Sequence, residues 1–467
     1  MEKKHVKFTD SLTFKGIIIT VLTLLLLIPG AILQDLISER QHRSIETVEK
    51  INNKWSLAQT LCPPTLVIPY TQEVYRQNSE GKTIRSWEPH QLYITPKDVK
   101  ITSLLQPEER YYGIYKAILY KSDIHIEGEF EGLESLPKEG CMFHFEDAYL
   151  LLGVTDLRGI RENIDFKLNG RELKASVGEK NQLFAGNLVG KNEIVAARSN
   201  EYDYKGYEES IEGKSLLIKL NGLVVADKLS EKLEFSCNLK LNGSSEINFI
   251  PIAQNTQVRV EGQWQAPSFI GAFSPEYTLD KEQFKAEWSV LSFNRSIPES
   301  WSDNELSSLR ENSFGVNLVD TVNHYQQNMR SAKYALLFIV LTFVVFFFVE
   351  VFTKKSIHPI QYLLVGIALV LFYSLLLSLS EHTGFTWAYV IASVATVSLI
   401  TAYGSSIFKQ GLPTAILAAV LSLLYVFLYV ILQLENMALL IGNIGLFVIL
   451  GIIMFVSRKV KWQRNEA

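Results

Sequence analysis

The sequence predicts an integral membrane α-helical protein, in which six transmembrane helices carry a large β-rich, mainly antiparallel extracytoplasmic domain inserted between helix 1 and helix 2. Three observations lead to this fold class. The last third of the chain contains four apolar runs separated by short polar breaks. A further apolar run follows several lysines near the N terminus. Between these two regions the apolar residues recur with a period of two, which is typical of strands.

The apolar runs of the last third predict a block of five helices over residues 334–456. Gln433, Glu435 and Asn436 interrupt the last run, which is too long for one crossing. It therefore divides into two helices of about 20 residues, the length that a hydrocarbon core of ~30 Å requires. The runs are Tyr334 to Phe352, Ile360 to Leu379, Phe385 to Tyr403 and Leu412 to Val456.

The N-terminal apolar run, residues 16–33, is predicted to be an uncleaved transmembrane anchor. A signal peptide is the alternative, because lysines precede the run in residues 1–15. However, the chain continues beyond Pro29 with Ile32, Leu33 and Leu36 and lacks a cleavage site made of small residues.

The distribution of Lys and Arg predicts the orientation. Loops rich in these residues are retained on the cytoplasmic side. Lys15, Lys355, Lys409 and Arg458 all fall on one side, whereas the turn around Glu381 contains neither residue type. We therefore expect a cytoplasmic N terminus (1–15), an extracytoplasmic domain (34–333) and a basic cytoplasmic tail (457–467).

The extracytoplasmic domain is predicted to begin with a helical stalk, residues 34–56, followed by a β-rich region, residues 57–333. Glu39 precedes Arg43 by four residues, the order that supports a helix. Asn-Gly pairs at 169, 221 and 242 are hairpin signals. The clearest strand patterns are Ile124 to Phe130, Leu216 to Leu220, Phe235 to Leu241 and Val258 to Gly262.

The β-rich region has a possible internal duplication. The segments Gly128 to Arg158 and Gly262 to Arg295 share a glycine followed two residues later by an aromatic residue, and both end in an arginine. A true duplication predicts the same strand order in both segments. Convergent patterning of amphipathic strands is the alternative explanation.

Two stretches of the membrane block carry a resemblance to a known family. They are Ile357-His358-Pro359-Ile360-Gln361-Tyr362 and Ser380-Glu381-His382-Thr383-Gly384. Both resemble the CreD family of bacterial inner-membrane, cell-envelope integrity proteins. Where this family usually carries Gly-Pro, the chain has Pro63-Pro64. The matching residues are Glu39, Arg40, Trp55, Arg158, Gly159, Trp264, Pro267, Arg295, His358, Pro359, Gln361, Tyr362, Glu381 and His382.

The resemblance implies a multi-pass protein of the bacterial inner membrane with a role in envelope integrity, and it implies no reaction. Structural duties offer another explanation for some of these residues. Pro359 stands where a proline begins a helix without losing a hydrogen bond. Glu381 and His382 are expected in a turn at the interface.

Catalytic and metal signatures give little support to an enzyme. Common motifs of hydrolases and metalloproteases are absent from the sequence. Glu212-Gly213-Lys214-Ser215 lacks the first glycine of a phosphate loop. His125 with Glu127, and His144 with Glu146, have a spacing that suits metal ligands on a strand, but it also suits a solvated strand face. We predict no catalytic, cofactor or metal site.

The charged residues and the cysteines further limit the possible partners and cross-links of the protein. Glu350 is expected at the cytoplasmic interface beside Lys354, so that no charge lies near the membrane midplane. Asp and Glu outnumber Lys and Arg in residues 34–333, which argues against nucleic acid as a partner. The three cysteines, Cys62, Cys141 and Cys237, allow at most one internal disulfide.

The predicted function is therefore a non-enzymatic membrane protein that supports envelope integrity and uses its outer domain as a contact or scaffold surface. Its surroundings are the lipid bilayer, and its partners are envelope components or other membrane proteins. Two alternatives stay open. One is a receptor that senses an envelope ligand. The other is an enzyme of envelope polymers, which requires clustered acids such as Glu127, Glu146 and Asp156.

Overall fold

The computed structural model describes residues 12–77, 83–131, 140–178, 215–224, 232–302, 309–318, 324–353, 355–434 and 437–458. The chain divides into two compact units, residues 1–46 with 322–467 and residues 47–321. Lys354, the segment Glu212 to Lys214 and the ends of the chain before residue 12 and after residue 458 lie outside the described residues.

The helices are α1 (Leu12–Trp55), α2 (His324–Lys333), α3 (Ala335–Thr353), α4 (Pro359–Thr383), α5 (Phe385–Phe408), α6 (Gly411–Gln433) and α7 (Ala438–Ser457). All of them except α2 are long and apolar enough to cross a membrane. The strands lie between α1 and α2. The predicted fold class, six membrane helices with a β-rich domain between the first and the second, is therefore confirmed.

The strands are β1 (Gln59–Gln77), β2 (Thr83–Ile94), β3 (Asp98–Tyr112), β4 (Tyr115–Phe130), β5 (Cys141–Phe143), β6 (Tyr149–Val154), β7 (Asp165–Leu168), β8 (Arg171–Leu173), β9 (Ala175–Val177), β10 (Ser215–Lys219), β11 (Leu233–Ser244), β12 (Glu246–Phe249), β13 (Asn255–Gln263), β14 (Ser268–Gly271), β15 (Glu276–Asp280), β16 (Gln283–Val290), β17 (Ser300–Ser302) and β18 (Phe314–Asn317).

The strands form two sheets that pack face to face. The first sheet has the order β14-β18-β12-β1-β6-β10-β9, with β2 and β5 paired to β1 and β17 paired to β2. The second has the order β15-β16-β13-β3-β4-β11-β7-β8. Only β1 with β12 and β3 with β13 are parallel among the described strand pairs. Leu66, Ile126 and Val258 belong to the core that both sheets share.

The opposite face of the first sheet is covered as well. Cys62 and Val67 of β1 pack there with Ile250, Ile252 and Trp301 in a smaller cluster. The part of β1 from Leu61 to Tyr70 is consequently buried on both faces, and it is apolar apart from Thr65 instead of alternating.

One of the three predicted Asn-Gly turns is wrong. Asn169-Gly170 and Asn221-Gly222 have the positive φ values that such turns require. Asn242-Gly243 instead lies inside β11. A Cβ atom at Gly243 would lie 2.2 Å from the Tyr120 hydroxyl oxygen, so the absence of a side chain serves close packing.

The strand order expected from a duplication is not observed. In the first segment, β4 and β6 belong to different sheets, whereas in the second, β13 and β16 are direct neighbours. The similarity reflects the alternation that amphipathic strands share. The predicted β-rich range 57–333 also includes α2, which is helical and belongs to the same compact unit as the membrane helices.

All three cysteines are free, and Cys62 and Cys237 are buried. Burial raises the pKa of the Cys62 thiol and raises that of Cys237 to about 12. Both side chains thus act as small apolar groups in the core.

Candidate functional site

Most of the residues that carry the family resemblance fall into three polar clusters. We call them the junction, centred on Asp156, the Glu350 cluster and the Glu381 cluster. The junction lies in the β-rich unit. The other two lie in the membrane unit, at the two ends of helix α4.

The junction is organised around a buried carboxylate. Asp156 is 4% exposed and follows β6 directly. Its Oδ2 accepts hydrogen bonds from the Leu57 backbone N–H at 3.0 Å and from the Ser56 hydroxyl at 3.2 Å. Arg158 donates to both carboxylate oxygens, at 2.9 Å each. These donors replace the water that the charge loses on burial.

Gln59 extends this network to a third segment. Its Nε2 donates to the Ser56 hydroxyl at 2.8 Å and to the backbone carbonyls of Asp156 and Asn242 at 3.0 Å each. Its Oε1 accepts from the Asp156 backbone N–H. A Cβ atom at Gly159 would lie 2.6 Å from the Gln59 amide nitrogen, so glycine is required for this close approach.

The junction also supplies contacts to the C-terminal end of α1. Arg158 Nη1 donates at 3.1 Å to the Asn53 carbonyl, one of the last carbonyls of the helix, which lack intrahelical donors. A guanidinium at this end also complements the helix dipole. The Trp55 ring lies 4.1 Å below the Arg110 guanidinium carbon in a cation–π contact. The last turn of α1 is thereby fixed to the sandwich.

The electrostatics of the junction favour the ionised carboxylate. Burial by itself raises the pKa of Asp156, but the hydrogen bonds from Arg158 and Leu57 outweigh it, and the net shift is downward. The group is therefore a buried carboxylate that stays charged and fully engaged.

The Glu350 cluster lies near the end of α3. Glu350, three residues before the helix ends, is 4% exposed. Its carboxylate pairs with Lys15 of α1. It also accepts from the Tyr362 hydroxyl at 2.8 Å and from the Ile357 backbone N–H at 3.1 Å. A charge this deep needs such partners, and they join α1, α3 and α4.

His358, Pro359 and Gln361 start helix α4 beside this cluster. His358 is the N-cap, and its Nδ1 accepts from the Ile360 backbone N–H. Gln361 Oε1 accepts from the His358 backbone N–H at 2.9 Å, which completes a capping box. Pro359 occupies the first helical position. The motif thus places Tyr362 toward Glu350.

The Glu381 cluster lies at the other end of α4. Glu381 and His382 were expected in a turn, but both belong to the last turn of the helix, because the helix continues to Thr383. Glu381 accepts from the Tyr325 hydroxyl at 3.1 Å and lies 4.0 Å from Arg40 Nη1. His382 is exposed.

The buried side-chain amide of Asn328 also belongs to the Glu381 cluster. Asn328 of α2 donates to the Ser380 hydroxyl at 2.7 Å and to the His324 carbonyl at 2.8 Å. The Glu381 cluster thereby joins α1, α2 and α4. Glu39 takes no part in these contacts and forms an exposed i,i+4 pair with Arg43.

The remaining family residues are scattered through the β-rich unit. Trp264 packs against the main core, and Pro267 directly precedes β14. Arg295 is 8% exposed and donates to the Ile297 carbonyl, and burial lowers its pKa. These residues serve separate local contacts.

The structure does not bring the candidate acids and histidines together. Glu127 lies near Lys100 and His125, at 3.2 Å and 3.7 Å, on an exposed strand face. His144 follows the end of β5, 3.9 Å from Glu146. Asp156 is paired with Arg158 and does not lie with the other candidate acids. Among the described residues, no group of three or more His, Cys, Asp or Glu side chains is arranged to hold a metal.

Sequence reasoning missed Lys15, Ser56 and Gln59. Lys15 was interpreted only as a topology signal, although it ion-pairs inside the membrane unit. Ser56 and Gln59 lie far in sequence from Asp156, and no local pattern marks their role. The available signal was a glutamine, Gln59, two residues before the apolar run that begins at Leu61.

The arrangement defines the class of the protein: six apolar helices and an inserted β-sandwich are typical of a multi-pass membrane protein with a large domain outside the bilayer. A family model described as "Inner membrane protein CreD" matches residues 11–463. The chain therefore belongs to the CreD family. It is similar to the inner membrane protein CreD of Escherichia coli (strain K12), with 29% identity over 441 residues, covering 94% of this chain and 91% of that protein.

Removing the Asp156 carboxylate should destabilise the β-rich unit. We expect Asp156→Ala to lower the free energy of unfolding by about 1–3 kcal/mol, because the Leu57 N–H and the Ser56 hydroxyl lose their acceptor. Arg158 is 56% exposed and is solvated in the variant. Denaturant unfolding of the full chain in detergent measures the change. Asp165→Ala, at an exposed position on β7, is the control and should change little. Equal effects of the two variants would contradict the role of the junction.

The same carboxylate predicts a pH dependence. Its folded-state pKa lies below the unfolded value of about 3.9, so its contribution is complete above that pH and is lost as the pH falls through the folded pKa. The stability difference between the wild type and Asp156→Asn should stay constant from pH 7 to about pH 5 and shrink below about pH 4. A difference that grows on acidification would exclude this explanation.

Lys15 and Glu350 should be strongly coupled. Lys15→Met or Glu350→Met alone leaves one buried charge unpaired, whereas the double variant leaves none, so the double variant should be the more stable. We expect a coupling free energy of about 2–4 kcal/mol from a double-mutant cycle on thermal unfolding. The exposed Glu39–Arg43 pair is the control and should couple by about 0.5 kcal/mol or less.

Proposed function

We propose that this protein is a non-catalytic scaffold of the inner membrane that supports cell-envelope integrity. In this proposal the β-rich domain is the contact surface for envelope components or other membrane proteins. The membrane helices hold that surface in place. The name of the family gives the membrane location, and the role in the envelope is our proposal.

The junction is the observation that carries the proposal. A helix that leaves a membrane and ends in a flexible tether lets its domain reorient freely. Here the final turn of α1 is fixed by the Arg158 contact with the Asn53 carbonyl and by the Trp55 contact with Arg110. The last turn of α1 and the β-rich domain are thus joined by direct side-chain contacts, as a scaffold requires.

The surroundings of Asp156 and Glu127 support the proposal that the protein is not an enzyme. Asp156 receives five hydrogen bonds from Ser56, Leu57 and Arg158, so its carboxylate is already satisfied. Glu127 lies on an exposed strand face beside a lysine. A general acid or base instead needs a free position beside a substrate.

We further propose that both termini are cytoplasmic and that the β-rich domain is periplasmic. The support is the Lys and Arg pattern, because Lys15, Lys355 and Lys409 lie at the helix ends around Glu350, whereas the end with Glu381 carries an acidic helix terminus. In this orientation the Glu350 cluster lies at the cytoplasmic end of the membrane unit.

Thiol labelling in intact cells tests the orientation. Thr383 and Ser356 are both exposed and lie at opposite ends of α4. In a chain without its native cysteines, Thr383→Cys should react with an impermeant thiol reagent, and Ser356→Cys should react only after the membranes are opened. The reverse pattern would refute the orientation.

Complementation tests the function. Cells lacking the protein should become sensitive to detergents and envelope-directed toxins, and the full chain should restore resistance. Glu127→Ala, His144→Ala and Glu146→Ala should each restore it fully. Glu127 and Glu146 are exposed, and half-buried His144 belongs to no cluster of acids in the described part of the chain. A chain lacking residues 34–333 should not restore it.

One result of this series would contradict the scaffold proposal. If one of those three alanine variants accumulates normally in the membrane yet fails to complement, the domain has a catalytic or metal-dependent activity. Asp156 is left out of this series because its alanine variant is expected to be less stable.

A further inference from the structure

Helix α7 is the least enclosed of the membrane helices that follow the β-rich domain. Within its described residues, none of its most apolar window is buried, whereas 33% to 50% of the corresponding windows of α3 to α6 are. One side of α7 packs on the bundle. Gly445 lies against the Phe427 ring of α6, and Ile449 and Ile453 pack against a core cluster of the bundle. The rest of the helix faces outward.

The outward face contains an amide. Asn443 is exposed, and it makes no hydrogen bond to the described part of the chain. It lies roughly 8 Å along α7 from the first residue, at 1.5 Å per residue, and apolar residues follow it to the end of the helix. Its stripe, spaced by three and four residues, consists of Leu440, Asn443, Phe447, Leu450 and Met454.

An exposed amide in an apolar helix differs from an exposed hydroxyl. Ser405 and Ser406 are also exposed, but each hydroxyl donates to a carbonyl of its own helix, at 2.7 Å and 2.8 Å. Within the described part of the chain, Asn443 has no such bond. In hydrocarbon an unsatisfied amide is costly, and interhelical hydrogen bonds are the usual way to satisfy one.

We propose that the stripe of α7 is a self-association surface, on which a second copy of this chain packs its own α7. In a two-fold arrangement the two Asn443 side chains meet, and each amide donates with Nδ2 and accepts with Oδ1. Leu440 and Phe447 flank the amide pair and exclude lipid from it.

The chemistry of the stripe favours a second copy over other occupants. An amide is self-complementary, and a two-fold axis brings the same position of both helices together. A lipid tail leaves both functions of the amide unsatisfied. A different protein would have to present a matching polar group at the same depth. A single buried asparagine also fixes the register of paired helices.

Disulfide cross-linking of the full chain in native membranes tests the proposal. Phe447→Cys lies on the stripe and is 79% exposed in the single chain. Leu371→Cys of α4, 58% exposed and away from α7, is the matched control for random collision. The chain without an added cysteine gives the background of the native thiols. We expect a dimer with Phe447→Cys at least about fivefold more abundant than with Leu371→Cys.

The role of Asn443 is tested in the chain that carries Phe447→Cys. Adding Asn443→Leu should lower the cross-linked fraction about fivefold, whereas Asn443→Gln, which keeps an amide, should retain most of it. Equal cross-linking at Phe447 and Leu371 would overturn the proposal, and so would an unchanged yield with Asn443→Leu. A photoreactive residue at position 447 that forms adducts only with lipid or with another protein would also overturn it. If Asn443→Leu fails to accumulate, the comparison of Phe447 with Leu371 still decides.

Discussion

A carboxylate removed from water must be surrounded by hydrogen-bond donors, and in this protein that requirement at Asp156 brings distant segments together. The donors come from the loop after α1 and from the turn after β6, at Leu57 and Arg158. Gln59 then ties the same point to β11 through the Asn242 carbonyl. The end of α1 and the strands β1, β6 and β11 meet at this network.

Carboxylates at both ends of the membrane unit are also surrounded by hydrogen-bond donors or cations. Glu350 is satisfied by Lys15, Tyr362 and a backbone N–H, and Glu381 by Tyr325 with Arg40 nearby. Between them the interior of the bundle is aromatic and aliphatic. Helix α1 contributes a cation to each cluster, so the anchor is held by paired charges as well as by apolar packing. Among the described residues, these two polar clusters join helices at the two ends of the bundle.

The residues that carry the family resemblance thus have recognisable structural roles. Arg158 and Gly159 build the junction, His358 and Gln361 cap α4, and Tyr362 reaches Glu350. Among the described residues, the exposed strand face around Glu127 and the outward stripe of α7 are open to contacts with other molecules. A scaffold that pairs through α7 presents two copies of its domain, which suits a role in holding envelope components.

The sequence by itself determined the membrane helices and the existence of the β-rich domain, because hydrophobic length and period two are local properties of the chain. It also located the motif at His358 to Tyr362. Only the tertiary structure decided which side chains meet. Lys15 and Glu350 are 335 positions apart. Asn242-Gly243 has the local chemistry of a turn, but the ring of Tyr120 makes it a packing site inside a strand. The strand order that excluded the duplicated arrangement depends on pairing between distant segments, which a local period does not encode.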